Sequence, residues 1–217
     1  MENAVNRVAA EAIGTFVLVF SGTFAIAASV KYKDSVPGLG VAVAFAVALL
    51  VMVYAIGHIS GCHINPAVSF GLARQRKIDP LRRVLYWIGQ IVGALIASIC
   101  VWLIIGSHTN VGVSKITGTT SQAFWAELIA TFLLVFVISG AATDDRSPKG
   151  GVGLAIGGAL LVGGIFAGPF SGGSMNPARS IAPAIIAGQF GDLWLYIVAP
   201  LIGGAIGGLL YAFIQNY

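Results

Sequence analysis

The chain has 217 residues, of which 57% are hydrophobic and 9% are Asp, Glu, Lys or Arg, and its formal net charge is +4. A soluble domain carries roughly a quarter charged residues, so this is the composition of a membrane protein. The basic excess forms no stripe with interleaved aromatics and implies no nucleic acid, because membrane proteins concentrate Lys and Arg in cytoplasmic loops.

Charged residues divide the chain into six long apolar windows. A bilayer core about 30 Å thick takes about 20 helical residues. The first window, Ala12–Val30, follows a start near Arg7, lacks a small-residue cleavage site and reads as a retained helix. The second, Ser35–Ala73, is too long for one span and too short for two with a connection. Its surplus contains Asn65, Pro66 and Ala67. The third, Val84–Ser114, is one span, and the fourth, Leu128–Thr143, is one that begins a few residues before Glu127. The fifth, Gly150–Ala178, repeats the surplus with Asn176, Pro177 and Ala178, and the sixth, Leu193–Tyr217, is one span. Cys62 and Cys100 lie inside apolar segments, so no disulfide framework is implied.

Each surplus reads as a return loop followed by a short helix that enters the membrane without crossing it. Asn is a strong N-cap and Pro is favoured in the first helical turn. The preceding "GHISG" and "GPFSGG" suit irregular backbone. Such backbone survives at membrane depth only when buried in protein or lining a watery cavity.

The chain is also a repeat. "AEAIGTFVLVF" (Ala10–Phe20) and "AELIATFLLVF" (Ala126–Phe136) match at eight of eleven positions, 116 residues apart, and the two Asn-Pro-Ala segments lie 111 apart. The chain therefore reads as a single channel domain, with one repeat over about 1–114 and the other over about 115–217. Three spans per repeat invert the second relative to the first. The expected class is an all-α membrane protein of six transmembrane helices plus two re-entrant half-helices. With the N-terminus inside, the inner segments hold Arg7, Arg74, Arg76, Lys77, Arg82, Arg83, Arg146 and Lys149. The outer ones hold Lys31, Lys33 and Lys115, apart from Arg179, so both termini are expected in the cytoplasm. Glycines four apart, as at Gly89 and Gly93, suit close helix packing.

Two opposed half-helix N-termini make a positive patch near the bilayer centre. Asn65 and Asn176 add amide donors there, which a water or hydroxyl oxygen accepts and a bare cation does not. Arg179, three residues after Asn176 in an otherwise uncharged stretch, is an expensive charge and marks function.

Two Asn-Pro-Ala motifs, the second followed by Arg179 and Ser180, in an inverted repeat of six spans resemble the aquaporin (major intrinsic protein) family over nearly the whole chain. The resemblance is to a microbial water channel with a wide filter. It implies a right-handed bundle, a homotetramer with one pore per subunit in the cell membrane, and passive flow of water or small neutral solutes. It places Arg179 in the narrow outer filter with Phe45, Gly164 and Gly173. Strict water channels of the family carry histidine where Gly164 stands, and glycerol facilitators carry glycine there. Two glycines opposite Phe45 give a filter wider than single file, unless Ile165 or Phe166 folds into it. Water is the expected substrate, with some passage of glycerol, and glycerol as the main solute is the alternative. The resemblance also buries Glu11 and Glu127 as acceptors for loop amides. The carbonyls of Gly61, Cys62 and His63, and of Gly172, Gly173 and Ser174, then form a ladder along the pore. His63 lines its inner half, and His58 either lines the vestibule or packs at a helix end.

"HISGCH" has ligand-like spacing but no cluster that closes a metal site, so no metal or cofactor is expected. No catalytic arrangement emerges, so the chain is not expected to be an enzyme. A secondary transporter would need an ion-coupling acidic group beyond the two glutamates, and a structural membrane protein of this fold would conduct nothing.

Overall fold

The computed structural model describes residues 2–33 and 35–215, so Tyr217, the end of the sixth window, lies outside the described residues. The described residues form eight α-helices and two short 3-10 turns, with no strand among them. The helices are α1 (Glu2–Lys31), α2 (Gly38–Ser60), α3 (Pro66–Arg74), α4 (Pro80–Ile105), α5 (Thr120–Thr143), α6 (Val152–Ser171), α7 (Pro177–Ala187) and α8 (Leu193–Gln215). Six of them are long and apolar enough to cross a membrane. The other two, α3 and α7, have nine and eleven residues. At 1.5 Å per residue they extend about 14 and 17 Å, half a bilayer core.

The surface is inverted relative to a soluble protein. Large apolar side chains such as Val43, Val47, Ile96, Leu103 and Phe213 are exposed, whereas Glu11, Glu127, Gln90, Asn65, Asn176 and Arg179 are buried. That distribution suits a chain solvated by hydrocarbon outside and organised by hydrogen bonds inside. α1 begins well before Arg7, because charged residues beyond the hydrocarbon do not interrupt a helix. Helix starts follow local chemistry. Thr119 and Gln122 close a capping box on α5, and Asp79 caps α4 ahead of Pro80.

The two repeats pack by the same rule. α1 lies on α4 and α5 lies on α8. A Cβ at Gly89 or Gly93 would collide with the carbonyls of Val8 or Ala12 on α1. A Cβ at Gly203 or Gly207 would collide with those of Leu128 or Phe132 on α5. Those glycines set the helix separation. Each half-helix then crosses to the other repeat, with α3 against α8 and α7 against α4. The N-termini of α3 and α7 meet in the middle of the bundle.

Candidate functional site: a central cavity at the half-helix junction

The two return loops are built alike. Ser60 and Ser171 end their helices, Gly61 and Gly172 take the left-handed cap, and Ile64 and Met175 precede the asparagines with φ of 41° and 52°. A left-handed conformation costs about 1–3 kcal/mol outside glycine, and in each loop a buried carboxylate holds it. Glu11 Oε1 accepts from Ser60 Oγ (2.6 Å) and the His63 amide (2.9 Å), and Oε2 accepts from the Ile64 amide (2.6 Å). Glu127 Oε1 accepts from Ser171 Oγ and the Ser174 amide, and Oε2 from the Met175 amide, all at 2.7 Å. Both glutamates have no exposed surface. A tyrosine secures each loop from behind. Tyr86 donates to the Ser60 carbonyl (2.6 Å) and Tyr196 to the Ser171 carbonyl (2.7 Å).

Asn65 Oδ1 caps α3 through the Ala67 amide (2.8 Å), and Asn176 Oδ1 caps α7 through those of Ala178 (3.0 Å) and Arg179 (3.4 Å). Pro66 and Pro177 occupy the first helical turn. The two halves are then cross-linked. Asn65 Nδ2 donates to the Met175 carbonyl (2.8 Å), and Asn176 Nδ2 donates to the Ile64 carbonyl (3.0 Å). One hydrogen of each amide remains without a protein partner among the described residues.

Both asparagines line a cavity of about 720 Å³ that runs along the bundle axis. It extends from Leu39 and Lys115 at one end past the asparagines to Ile138 towards the other. Phe45, His63, Gly164, Gly173 and Arg179 all line it. The Arg179 guanidinium sits 5.2 Å over the Phe45 ring, within cation–π range. Its Nη1 donates to the Gly112 carbonyl (2.9 Å) and Ser114 Oγ (2.8 Å), while Nη2 has no protein partner among the described residues. A Cβ at Gly173 would stand 3.2 Å from Gly164 Cα, so the two glycines are neighbours on one wall. Ile165 reaches that wall and Phe166 packs into the core. Gly172, Gly173, Ser174 and His63 line the cavity. His58 is exposed at the last turn of α2, away from the cavity.

A family model described as major intrinsic protein matches residues 2–211. The chain belongs to that family. Nodulin-26 of Glycine max is 38% identical over 212 residues, covering 97% of this chain and 78% of its own. Aquaporin NIP1-1 of Zea mays is 39% identical over 212 residues, covering 97% and 75%. An aquaglyceroporin structure from Plasmodium falciparum superposes with a TM-score of 0.87, covering 98% of this chain and 97% of its own. At 24% identity that likeness concerns the fold. The chain is a multi-pass membrane protein of the major intrinsic protein fold, and that family is one of channels rather than enzymes.

Several groups at the junction carry no sequence signal of their own. Arg179 is held by Gly112, which ends the 3-10 turn Ser107–Gly112, and by Ser114, both more than sixty positions away in the chain. Ser180, next to Arg179, bonds Ser114 (2.8 Å) and Ser174 (2.6 Å), so three hydroxyls brace the guanidinium's support. The cross-links from asparagine to carbonyl were equally hidden. Ser60 and Ser171 alone had a readable sign, since they stand 111 residues apart like the asparagines.

Proposed function

We propose that the chain is a passive channel for osmotically driven water flow in either direction, permeable also to small neutral solutes such as glycerol and closed to ions and protons. One observation carries the reading. Each asparagine amide is fixed by a bond across the half-helix junction, and its remaining hydrogen is left for an oxygen in the cavity. A passing water exchanges its bonds in bulk for bonds to Asn65 and Asn176 and to carbonyls of the return loops. A cation gains nothing there, because both half-helix N-termini and Arg179 present positive potential.

In this reading Phe45, Gly164, Gly173 and Arg179 form the filter. The paired glycines leave space beside Phe45, so the filter admits more than single-file water, with Ile165 trimming its wall. His63 lines the half of the pore nearer Arg146. The carboxylates of Glu11 and Glu127 hold the loops and take no part in transport. Eight cations on the Arg146 face against three on the Lys115 face support cytoplasmic termini in the plasma membrane. The apolar outer surface supports a homotetramer embedded in lipid, and the chain acts as one channel domain of two repeats joined near residue 114. The name of one relative, aquaporin NIP1-1, supports water as a permeant.

The test is light scattering from proteoliposomes. An impermeant osmolyte gives fast shrinkage, and a glycerol gradient gives shrinkage followed by re-swelling, both beyond empty liposomes. Shrinkage without re-swelling would remove glycerol from the reading, and no excess water flux would remove the channel.

A further inference from the structure

The pore half nearer Arg146 contains a hydrogen-bond chain that the other half lacks. Gln90 on α4 is fully buried. Its Nε2 lies 2.7 Å from Glu11 Oε2 and 3.1 Å from Ser69 Oγ, and Ser69 Oγ lies 3.0 Å from His63 Nδ1. A carboxylate that already takes three donors orients the Gln90 amide nitrogen towards itself. Both Nε2 hydrogens are then committed, one to Glu11 and one to Ser69. Ser69 has one hydrogen left, and His63 Nδ1 is the only acceptor bonded to its hydroxyl among the described residues.

We propose that Gln90, acting through Ser69, fixes His63 in the tautomer that carries its proton on Nε2, and so makes His63 a hydrogen-bond donor to oxygens passing through the pore. The proposal rests on the channel reading for its permeant and on the bond chain alone for its tautomer. A proton on Nδ1 would leave the Ser69 hydroxyl hydrogen unmet in a fully buried site, which favours the Nε2–H form by about tenfold or more. Nε2 itself has no protein partner among the described residues, and the ring lines the cavity.

The repeat supplies an internal comparison. Ala12 and Leu128, equivalent in the repeat, meet Gly93 and Gly203, so Gly203 answers to Gly93 and Pro200 stands where Gln90 would. His63, two residues before Asn65, corresponds to Ser174, two before Asn176. Glu127 holds its loop without an amide beside it, so support of the loop does not require Gln90. The amide also leaves its own Oε1 buried and unpartnered, a cost without return if its role were packing. Ser174, bonded to Ser180 and to the Asn176 carbonyl, donates and accepts through one oxygen and needs no selector. An imidazole does, because its two nitrogens exchange donor and acceptor roles.

Nitrogen NMR on imidazole-labelled protein in proteoliposomes tests this, with the His63 signals assigned by their loss in His63→Asn. In the unsubstituted protein at neutral pH, Nε2 is expected to be protonated and Nδ1 to be the bare, hydrogen-bonded nitrogen. Ser69→Ala and Gln90→Leu are expected to give mixed tautomers, and Ser69→Thr, which keeps the hydroxyl, to restore the original pattern. A protonated Nδ1 in the unsubstituted protein would overturn the proposal, as would an unchanged pattern in folded Gln90→Leu. If Gln90→Leu does not fold, the Ser69→Ala and Ser69→Thr pair decides. Osmotic shrinkage of the same vesicles separates the two readings. Absent flux with the expected tautomer would refute the channel and leave the tautomer standing.

Discussion

Glu127→Gln changes one oxygen to an amide nitrogen and leaves the shape of the side chain intact. The carboxylate accepts from two backbone amides and one hydroxyl. The hydroxyl of Ser171 can turn to the Ala167 carbonyl, which it already approaches at 3.1 Å. The backbone amides cannot turn. Whichever way a glutamine sits, its NH2 group faces the N–H of Ser174 or of Met175. One buried donor left unmet costs about 1–3 kcal/mol, and the one or two remaining bonds, no longer to a charge, weaken by about 1 kcal/mol each. The expected loss is therefore about 2–5 kcal/mol, a large share of a typical net stability of about 5–15 kcal/mol. Glu11→Gln should lose a similar amount. Gln90 can turn its bare Oε1 to the new NH2 group, but the Ile64 amide or the His63 amide still faces a donor. Denaturant unfolding in detergent measures both variants against the unsubstituted protein. A loss under about 1 kcal/mol in both would show that the carboxylates do not hold the return loops, and the reasoning would fail.

Arg179→Ala removes the guanidinium over Phe45 and frees Gly112 and Ser114. Glycerol flux relative to water should rise severalfold, with a measurable cation leak; unchanged selectivity in vesicle flux assays would contradict the assignment of the filter. Gly93→Leu drives a side chain into the Ala12 carbonyl, whereas a Cβ at Gly158 meets nothing within 4 Å. The first should abolish folded yield by size-exclusion chromatography, and Gly158→Ala should leave it near the original level. Asp144, just beyond α5, is held well below the usual carboxylate range, first by the Arg146 side chain at 2.7 and 3.0 Å and then by the Arg146 amide and the Tyr211 hydroxyl. A depressed value stabilises the folded state above the ordinary carboxylate range near about 4 and loses that stabilisation as pH falls below it. Asp144→Asn should therefore lower Tm at neutral pH, with the gap closing in acid; a gap independent of pH would refute the latch.

The spans were legible because charge is costly in hydrocarbon, so gaps between charges count the helices, although α1, α4 and α5 run past the charges at Glu11, Arg83 and Glu127. The half-helices were legible because Ser35–Ala73 and Gly150–Ala178 had the wrong length for either one span or two. The cap at Asn65 and the N1 proline at Pro66 need only neighbouring residues, and local chemistry of that kind is readable in sequence. What holds Arg179 was not. Gly112 and Ser114 reach it through a turn in which Asn110 and Val111 take positive φ, and nothing in "SHTNVG" announces that path. Gln90 was similarly silent, since a lone polar residue on an apolar helix reads equally as packing until Glu11 and Ser69 are seen beside it. Long-range pairing of single polar residues leaves no periodic trace, whereas the repeat leaves one in the matched stretches Ala10–Phe20 and Ala126–Phe136.

The most direct measurement records water permeability and ion conductance on the same proteoliposomes. A junction built from two amide donors at opposed helix N-termini should give water flux well above empty liposomes, with proton and potassium conductance at the level of bare lipid. Water flux accompanied by proportionate proton or potassium current would contradict it, because the positive potential at Asn65, Asn176 and Arg179 would then not be what the permeant meets.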